Sequence, residues 1–406
     1  MIKIGILREE KVKTDKRVPF SPDQCQFIEE KFNVKVYCQS SKIRCYSDKE
    51  YKNKNIEVLE DISRCDIFFG VKEIDEKKII SGKKYFFFSH TIKEQPYNRN
   101  MINKIIEEKV TLIDYECIRD EKGKRLVAFG KTAGIVGAYN AILGYGEKIK
   151  KYKLERCFQF KNYQSIKREI KKIKLSKMKI VVLGNGKVAK GCIEMLKQFN
   201  IVEINSSQLK EEEFQYPVFC QLTAKNYYTR NDNNNFSKKI FYNNPAEHKS
   251  NFEQYFESID ILINATYWND RIPRIFTLKQ IKLKNFKIKL IADISCDIKG
   301  LIPCTLKSTT IKSPFYDYNP IKNQIVKEFK SNNNITVMAI DNLPSELPID
   351  SSIDFGNQLI KYVIKPLLLK NHKNKKRISN ATITKNGKLT KEYLYLKRFI
   401  EKNKKP

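Results

Sequence analysis

His90 is one of three histidines in the 406-residue chain, and it stands eighteen residues after Lys72. Each base follows a strand-like apolar run: Phe68-Phe69-Gly70-Val71 leads into Lys72, and Tyr85-Phe86-Phe87-Phe88-Ser89 leads into His90. In a parallel sheet such strand ends meet on one rim, where side chains from neighbouring strands converge on a crevice. A lysine and a histidine held there can exchange protons with a substrate, which is general acid–base chemistry. A surface histidine and a solvated lysine are the alternative, and the pair alone does not decide between the two.

A second constellation supplies partner chemistry. The apolar run Met178 to Leu183 passes straight into Gly184-Asn185-Gly186-Lys187-Val188-Ala189, a G-x-G-x-x-A loop, and then into an amphipathic helix. Gly184 permits a tight turn, Gly186 lets the backbone approach a pyrophosphate, and Ala189 keeps the helix close to the strand. The helix N-terminus adds free N–H groups for phosphates. With strand and helix both in place, the loop reads as a dinucleotide site. Glu203, nineteen residues after Gly184, is the candidate acid for an NAD ribose. It could instead be a surface residue just beyond a strand Asn200 to Ile204, and Lys210 could help neutralise a 2′-phosphate. NAD against NADP stays open on these residues.

The elements that must position these groups alternate. Short apolar runs (Lys3 to Leu7, Val34 to Cys38, Ile67 to Val71, Lys84 to Ser89, Thr111 to Tyr115) are separated by helical stretches such as Asp23 to Lys31 and Asn100 to Lys109. That alternation predicts a parallel α/β sheet. Ala133 to Gly146 carries small residues at helical spacing, which suits a long helix packed closely on a neighbour, either a hinge or an ordinary core helix. Two more buried strands are expected at Ile259 to Tyr267 and Leu290 to Ser295, followed by Val337 to Pro348 and by a helix from Ser351 to Lys370 with a basic tail beyond it. Polar strand ends of this kind line ligand crevices or cap helices.

Composition excludes several classes. No apolar stretch approaches the length of a membrane span. The apolar run at Met1 to Leu7 leads to the expectation of no signal or transit segment and of a cytoplasmic location. Ten cysteines without a C-x-x-C pair read as reduced, mostly buried residues, so no metal site is expected. The formal net charge of +32 invites a nucleic-acid reading, but the lysines are spread along the chain among asparagines and isoleucines. No nucleic-acid partner is expected; a positive field that attracts multiply anionic small molecules is.

Together these residues resemble the lysine-ketoglutarate reductase type of saccharopine dehydrogenase, within the wider alanine dehydrogenase and transhydrogenase superfamily. The resemblance covers most of the length. It is carried by Gly5 to Glu9 with Lys16 to Pro22, by Gly70-Val71-Lys72, by Phe87 to Lys93, by Leu112 to Glu116 and by Arg125 to Gly130. It continues through the glycine loop, Tyr267-Trp268, Ala292 to Ser295, Ile340 to Pro344 and Ala381 to Gly387. The last of these looks like the end of the reductase half of the two-headed animal and plant enzymes.

The resemblance implies two Rossmann-like α/β domains with parallel sheets and an active-site cleft between them. Residues 1–133 plus 344–406 would form an alanine dehydrogenase-like substrate domain, and 134–343 the dinucleotide-binding domain. It implies an oxidoreductase of lysine metabolism that condenses L-lysine with 2-oxoglutarate and reduces the imine to saccharopine. NADPH is the cofactor implied by the two-headed enzymes, with NADH the alternative. Lys72 and His90 match the family's acid/base pair, and Lys72 would be neutral for part of the cycle. Glu73 and Glu116 match acidic residues that would bias that pair. Arg17 and Arg125, with Lys93 as a third candidate, match cations for the substrate carboxylates. Asp341, Asn342 and Leu343 match the stretch beside the nicotinamide.

Several positions depart from the family pattern: Lys16 replaces a frequent second arginine, Thr132 replaces an aromatic, and Glu211 to Ser258 matches weakly. The chain also stops where the two-headed enzymes continue, so the expectation is that saccharopine passes to a separate saccharopine-oxidising enzyme. An alanine dehydrogenase-like amino-acid dehydrogenase and a catalytically inactive cofactor-binding module are the rival readings.

Overall fold

Strand β1 (Lys3–Ile6) is flanked by β2 (Lys35–Gln39) and β4 (Ile67–Phe69) in a computed structural model that describes residues 1–11, 15–369 and 374–401. With β3 (Glu57–Leu59), β5 (Lys84–Phe87) and β6 (Thr111–Asp114) they make a parallel array in the order β6-β5-β4-β1-β2-β3. The first connecting helix, Pro22–Phe32, begins at a Ser21 cap whose hydroxyl accepts from the Gln24 N–H while the Gln24 side chain returns to the Ser21 backbone. Such a box satisfies two orphan N–H groups, and its loss costs about 1 kcal/mol.

The basic tail is more than a tail. Strand Thr382–Lys385 pairs antiparallel with β6, and Lys388–Leu389 folds back on it through Asn386-Gly387, both at positive φ (50° and 76°). A two-residue Asn-Gly turn is the tightest way to close an antiparallel pair. The sheet is therefore mixed and not wholly parallel. The expected helix from Ser351 begins at Pro348, runs to Leu359 and continues through a wider turn to Leu368; Lys370 lies outside the described residues.

The second sheet has the order β15-β14-β16-β13-β12-β7-β9-β8. Its parallel members are β7 (Lys179–Leu183), β8 (Val202–Ile204), β9 (Val218–Leu222), β12 (Ile261–Asn264), β13 (Leu290–Asp293) and β16 (Ile335–Met338). Strands β14 (Phe315–Asn319) and β15 (Gln324–Val326) close one edge antiparallel, and β10 (Tyr228–Arg230) with β11 (His248–Ser250) forms a separate antiparallel pair. Alternate residues of β7 enter two cores: Ile180 and Val182 one, Val181 and Leu183 the other. A strand buried on both faces needs this unbroken apolar run.

Contacts divide the chain into Met1–Phe129 with the stretch from Pro348, and Gly130–Leu347. The break falls at the start of helix Gly130–Ile149, which packs in the second unit against helix Lys187–Gln198. Glycines make that approach possible. A Cβ on Gly134 would lie 1.9 Å from the Val188 carbonyl oxygen, and one on Gly191 2.1 Å from that of Lys131. Among the described residues no helix is long and apolar enough to cross a membrane.

Candidate functional site

In the first unit the last backbone bond between the loops after β4 and β5 runs from Phe88 N to Val71 O at 3.0 Å. Lys72 and His90 follow it by one and two residues, so adjacent strand ends carry both bases. His90 has a left-handed backbone (φ 52°), and its ring stacks on Phe88 with centroids 6.4 Å apart. Its Nδ1 lies 2.6 Å from Glu73 Oε1, and Lys11 Nζ stands 3.6 Å from the other Glu73 oxygen. Burial pushes the Glu73 carboxyl up, but the hydrogen bond and charge of His90 outweigh it and hold Glu73 below its usual value.

Two groups outside the expected set hold this rim in place. Glu9 accepts the backbone N–H of Val71 at 2.7 Å and of Lys72 at 2.9 Å, and burial pushes its carboxyl up to about 7 against the pull of those bonds. Asp114, fully buried at the end of β6, accepts from Ser89 N at 3.1 Å and from Glu116 N at 2.7 Å. It thereby ties the segment before His90 to the one carrying Glu116. Burial holds Asp114 above the usual carboxylate range, the Ser89 hydroxyl pulling the other way. Glu9 stands inside the Gly5 to Glu9 motif, but nothing in its sequence neighbourhood marks a contact sixty-three residues away.

The expected cations divide. Lys93 Nζ and Arg125 Nη1 stand 3.5 and 3.1 Å from Glu116 Oε1, both half-exposed, so two positive groups face one carboxylate. Arg17 does not offer a free fork. It is 3% exposed, its Nε and Nη2 donate to Asp15 at 2.9 and 2.6 Å, and its guanidinium lies over the Phe129 ring at 4.2 Å. An internal carboxylate two residues away has taken the bidentate face that a substrate would need.

In the second unit Gly184 sits at φ 103°, and a Cβ there would come 2.9 Å from the Ala265 carbonyl oxygen. Gly186 has no heavy atom within 4 Å of an added Cβ, which leaves open space in front of the loop. Asn185 and Gly186 are exposed, Lys187 and Val188 open helix Lys187–Gln198, and Ala189 is fully buried beneath it. These features fit a dinucleotide pyrophosphate, which needs bare backbone at the turn and room above it. The loop opens on a cavity of about 640 Å³ that also takes Thr223, Ala224 and Lys225 from the end of β9, together with Lys238, Tyr242 and Ala265 to Tyr267.

Glu203 is not brought to this loop. Strand β9 lies between β7 and β8, so Glu203 sits on the edge strand, where it pairs with Lys197 at 2.8 Å. Lys210 contacts Gln254 at 3.5 Å and does not line the cavity either. The apolar run Val218 to Leu222 was the available signal for the strand that does border the loop. Asp341 and Asn342 follow β16 at its C-terminal end, Asp341 exposed and Leu343 buried.

The model for the alanine dehydrogenase/PNT N-terminal domain matches residues 5–136, and that for the C-terminal domain residues 169–392. The chain belongs to the alanine dehydrogenase/PNT family. Among curated relatives of this family member, alpha-aminoadipic semialdehyde synthase, mitochondrial, of Mus musculus is 28% identical over 98% of the chain and 48% of that protein. The chain thus spans about half the length of that relative. Saccharopine dehydrogenase (NAD(+), L-lysine-forming) of Emericella nidulans is 24% identical over 87% of the chain and 89% of that protein. An L-alanine dehydrogenase structure, 14% identical, superposes over 99% of both chains with a TM-score of 0.65, so this alanine dehydrogenase/PNT chain shares its fold.

Proposed function

We propose that the chain is a saccharopine dehydrogenase of the L-lysine-forming, lysine-ketoglutarate reductase type: it condenses L-lysine with 2-oxoglutarate and reduces the product imine to saccharopine. The observation that carries this reading is the His90–Glu73 pair at 2.6 Å on the strand end next to Lys72. The relatives named for saccharopine and semialdehyde chemistry support it.

The acidic Glu73 keeps the proton on His90 Nδ1, which leaves Nε2 as the atom that exchanges a proton with substrate. Lys72, set by the Glu9 clasp on its backbone, supplies the second base. Attack of the neutral lysine ε-amine on the keto carbon moves one proton from nitrogen to oxygen, and loss of water from the carbinolamine moves a second, leaving the imine. Two bases on adjacent strand ends can divide that work. Lys93 and Arg125 face the substrate carboxylates, with Glu116 between their charges; Arg17, neutralised by Asp15, is not assigned a substrate contact.

A bound nicotinamide cofactor would supply the hydride that reduces the imine. Gly184 to Ala189 would hold its pyrophosphate, with Asp341, Asn342 and Leu343 beside the ring end. NADPH is our preferred form and NADH the alternative. The cytoplasm is our preferred compartment, which cell fractionation tests.

The deciding experiment offers the protein NADPH or NADH with 2-oxoglutarate and lysine, then with pyruvate and ammonia, and follows nicotinamide oxidation. Turnover with lysine and 2-oxoglutarate alone is expected. Turnover only with pyruvate and ammonia would replace the proposal by an alanine dehydrogenase activity, and turnover with neither would leave a cofactor-binding module.

A further inference from the structure

The cavity in front of the glycine loop has an uneven charge. Its lining contains two lysines, Lys225 and Lys238, and no aspartate or glutamate. Both lysines are exposed, and neither forms an ion pair among the described residues. Uncompensated ammonium groups at the mouth of a pocket are suited to an anion that arrives with the ligand.

Their location gives the anion an identity. In a dinucleotide fold the strand beside the glycine-loop strand ends at the adenosine ribose: an acid there accepts from a free 2′-hydroxyl, whereas a cation accommodates a 2′-phosphate. Here that strand is β9, and its end reads Leu222-Thr223-Ala224-Lys225. The one nearby acid that spacing suggested, Glu203, lies a strand further out and is paired with Lys197. Lys238 reaches the same cavity from helix Lys238–Asn243, which also brings the half-exposed Tyr242 ring as a flat wall for a base.

We infer that Lys225 and Lys238 form a subsite for the ribose 2′-phosphate of a phosphorylated dinucleotide. This inference rests on the dinucleotide reading of the loop and deepens it. It also gives the weakly matching Asn-rich segment a purpose, since it carries both Lys238 and Tyr242 to the cavity.

The test is calorimetric titration of the full chain with 2′,5′-ADP, 5′-AMP, NADPH and NADH, without substrates. The expected result is that 2′,5′-ADP binds at least about tenfold more tightly than 5′-AMP, the gap narrowing with added salt. In a Lys225→Ala, Lys238→Ala variant with an unchanged melting temperature, 2′,5′-ADP falls to the level of 5′-AMP. Equal affinity of the wild type for the two fragments, alongside measurable NADH binding, would overturn the 2′-phosphate subsite and leave the dinucleotide site standing. A retained tenfold gap in the double variant would overturn the assignment to these lysines. Failure of all four ligands to bind the wild type would sink the dinucleotide reading itself.

Discussion

Glu73 Oε1 lies 2.6 Å from His90 Nδ1, and both belong to loops that leave neighbouring parallel strands. The contact joins two residues seventeen apart in sequence, and an ionised Glu73 accepts there from a protonated Nδ1. Because Glu73 is held below its usual value, it binds fewer protons in the folded state than in the unfolded one. Its stabilising contribution is present above the ordinary glutamate range and is lost as pH falls through the folded value. Chemical denaturation of wild type and Glu73→Gln from pH 7 to pH 3 should show the wild type converging on the variant in acid. The gap at pH 7 should be about 1–2 kcal/mol.

Glu9 behaves with the opposite sign. Its folded value of about 7 exceeds the unfolded one, so the folded state holds the extra proton and stability falls as pH rises from about 4.5 to about 7. A Glu9→Gln variant should lose that slope in denaturation experiments. It should also lower kcat, because the Lys72 backbone loses one of the two clasps on its turn, while a purely structural role would leave the kcat pH profile unmoved. A profile identical to wild type would show that Glu9 does not position Lys72.

Lys72→Met and His90→Asn should each reduce kcat by about 10²-fold or more, the usual worth of a positioned acid or base. Steady-state rates with lysine and 2-oxoglutarate across pH check this. Substitution at Asp15 should act differently: Asp15→Asn releases the Arg17 fork and should alter KM for the dicarboxylate substrate more than kcat.

Two glycines in the second unit should separate stability from binding. Gly134→Ala drives a methyl into the Val188 carbonyl and should cost about 1–3 kcal/mol, read as a lowered melting temperature. Gly186→Ala meets nothing within the protein and should melt like wild type, yet it should lose cofactor binding because its methyl occupies the space in front of the loop. Nicotinamide fluorescence titration beside thermal unfolding distinguishes the two.

Glu203→Ala should leave the ratio of NADH to NADPH affinity unchanged, since the edge strand holds that carboxylate away from the cavity. A shift of tenfold toward NADPH would return Glu203 to the ribose.

What was legible in the chain was local. The β7 run, the G-x-G-x-x-A turn and the helix after it are contiguous, and each step of that path is dictated by residues a few positions apart. The same holds for the two bases, whose strands are written plainly in aromatic residues. Glu203 failed for a reason of topology: counting residues along the chain assumes that the next strand is the neighbouring one, and here the chain visits the sheet edge first and returns to β9 afterwards. The Arg17 pairing was not legible, because nothing in the sequence says that the carboxylate two residues away occupies its fork. Glu9 and Asp114 were hidden because a buried carboxylate that ties backbones together looks, in sequence, like any other acid.

The hairpin at Thr382–Lys385 and Lys388–Leu389 has a consequence for synthesis. It covers the free side of β6, which is complete some 270 residues earlier, as the Leu112–Thr384 contact at a separation of 272 shows. During translation the first sheet therefore exposes an unpaired edge while the whole second unit is being made. An edge of this kind is open to pairing with another chain. The contiguous Gly130–Leu347 unit is complete in sequence before the closing hairpin, so the edge of β6 stays open to such pairing throughout its synthesis.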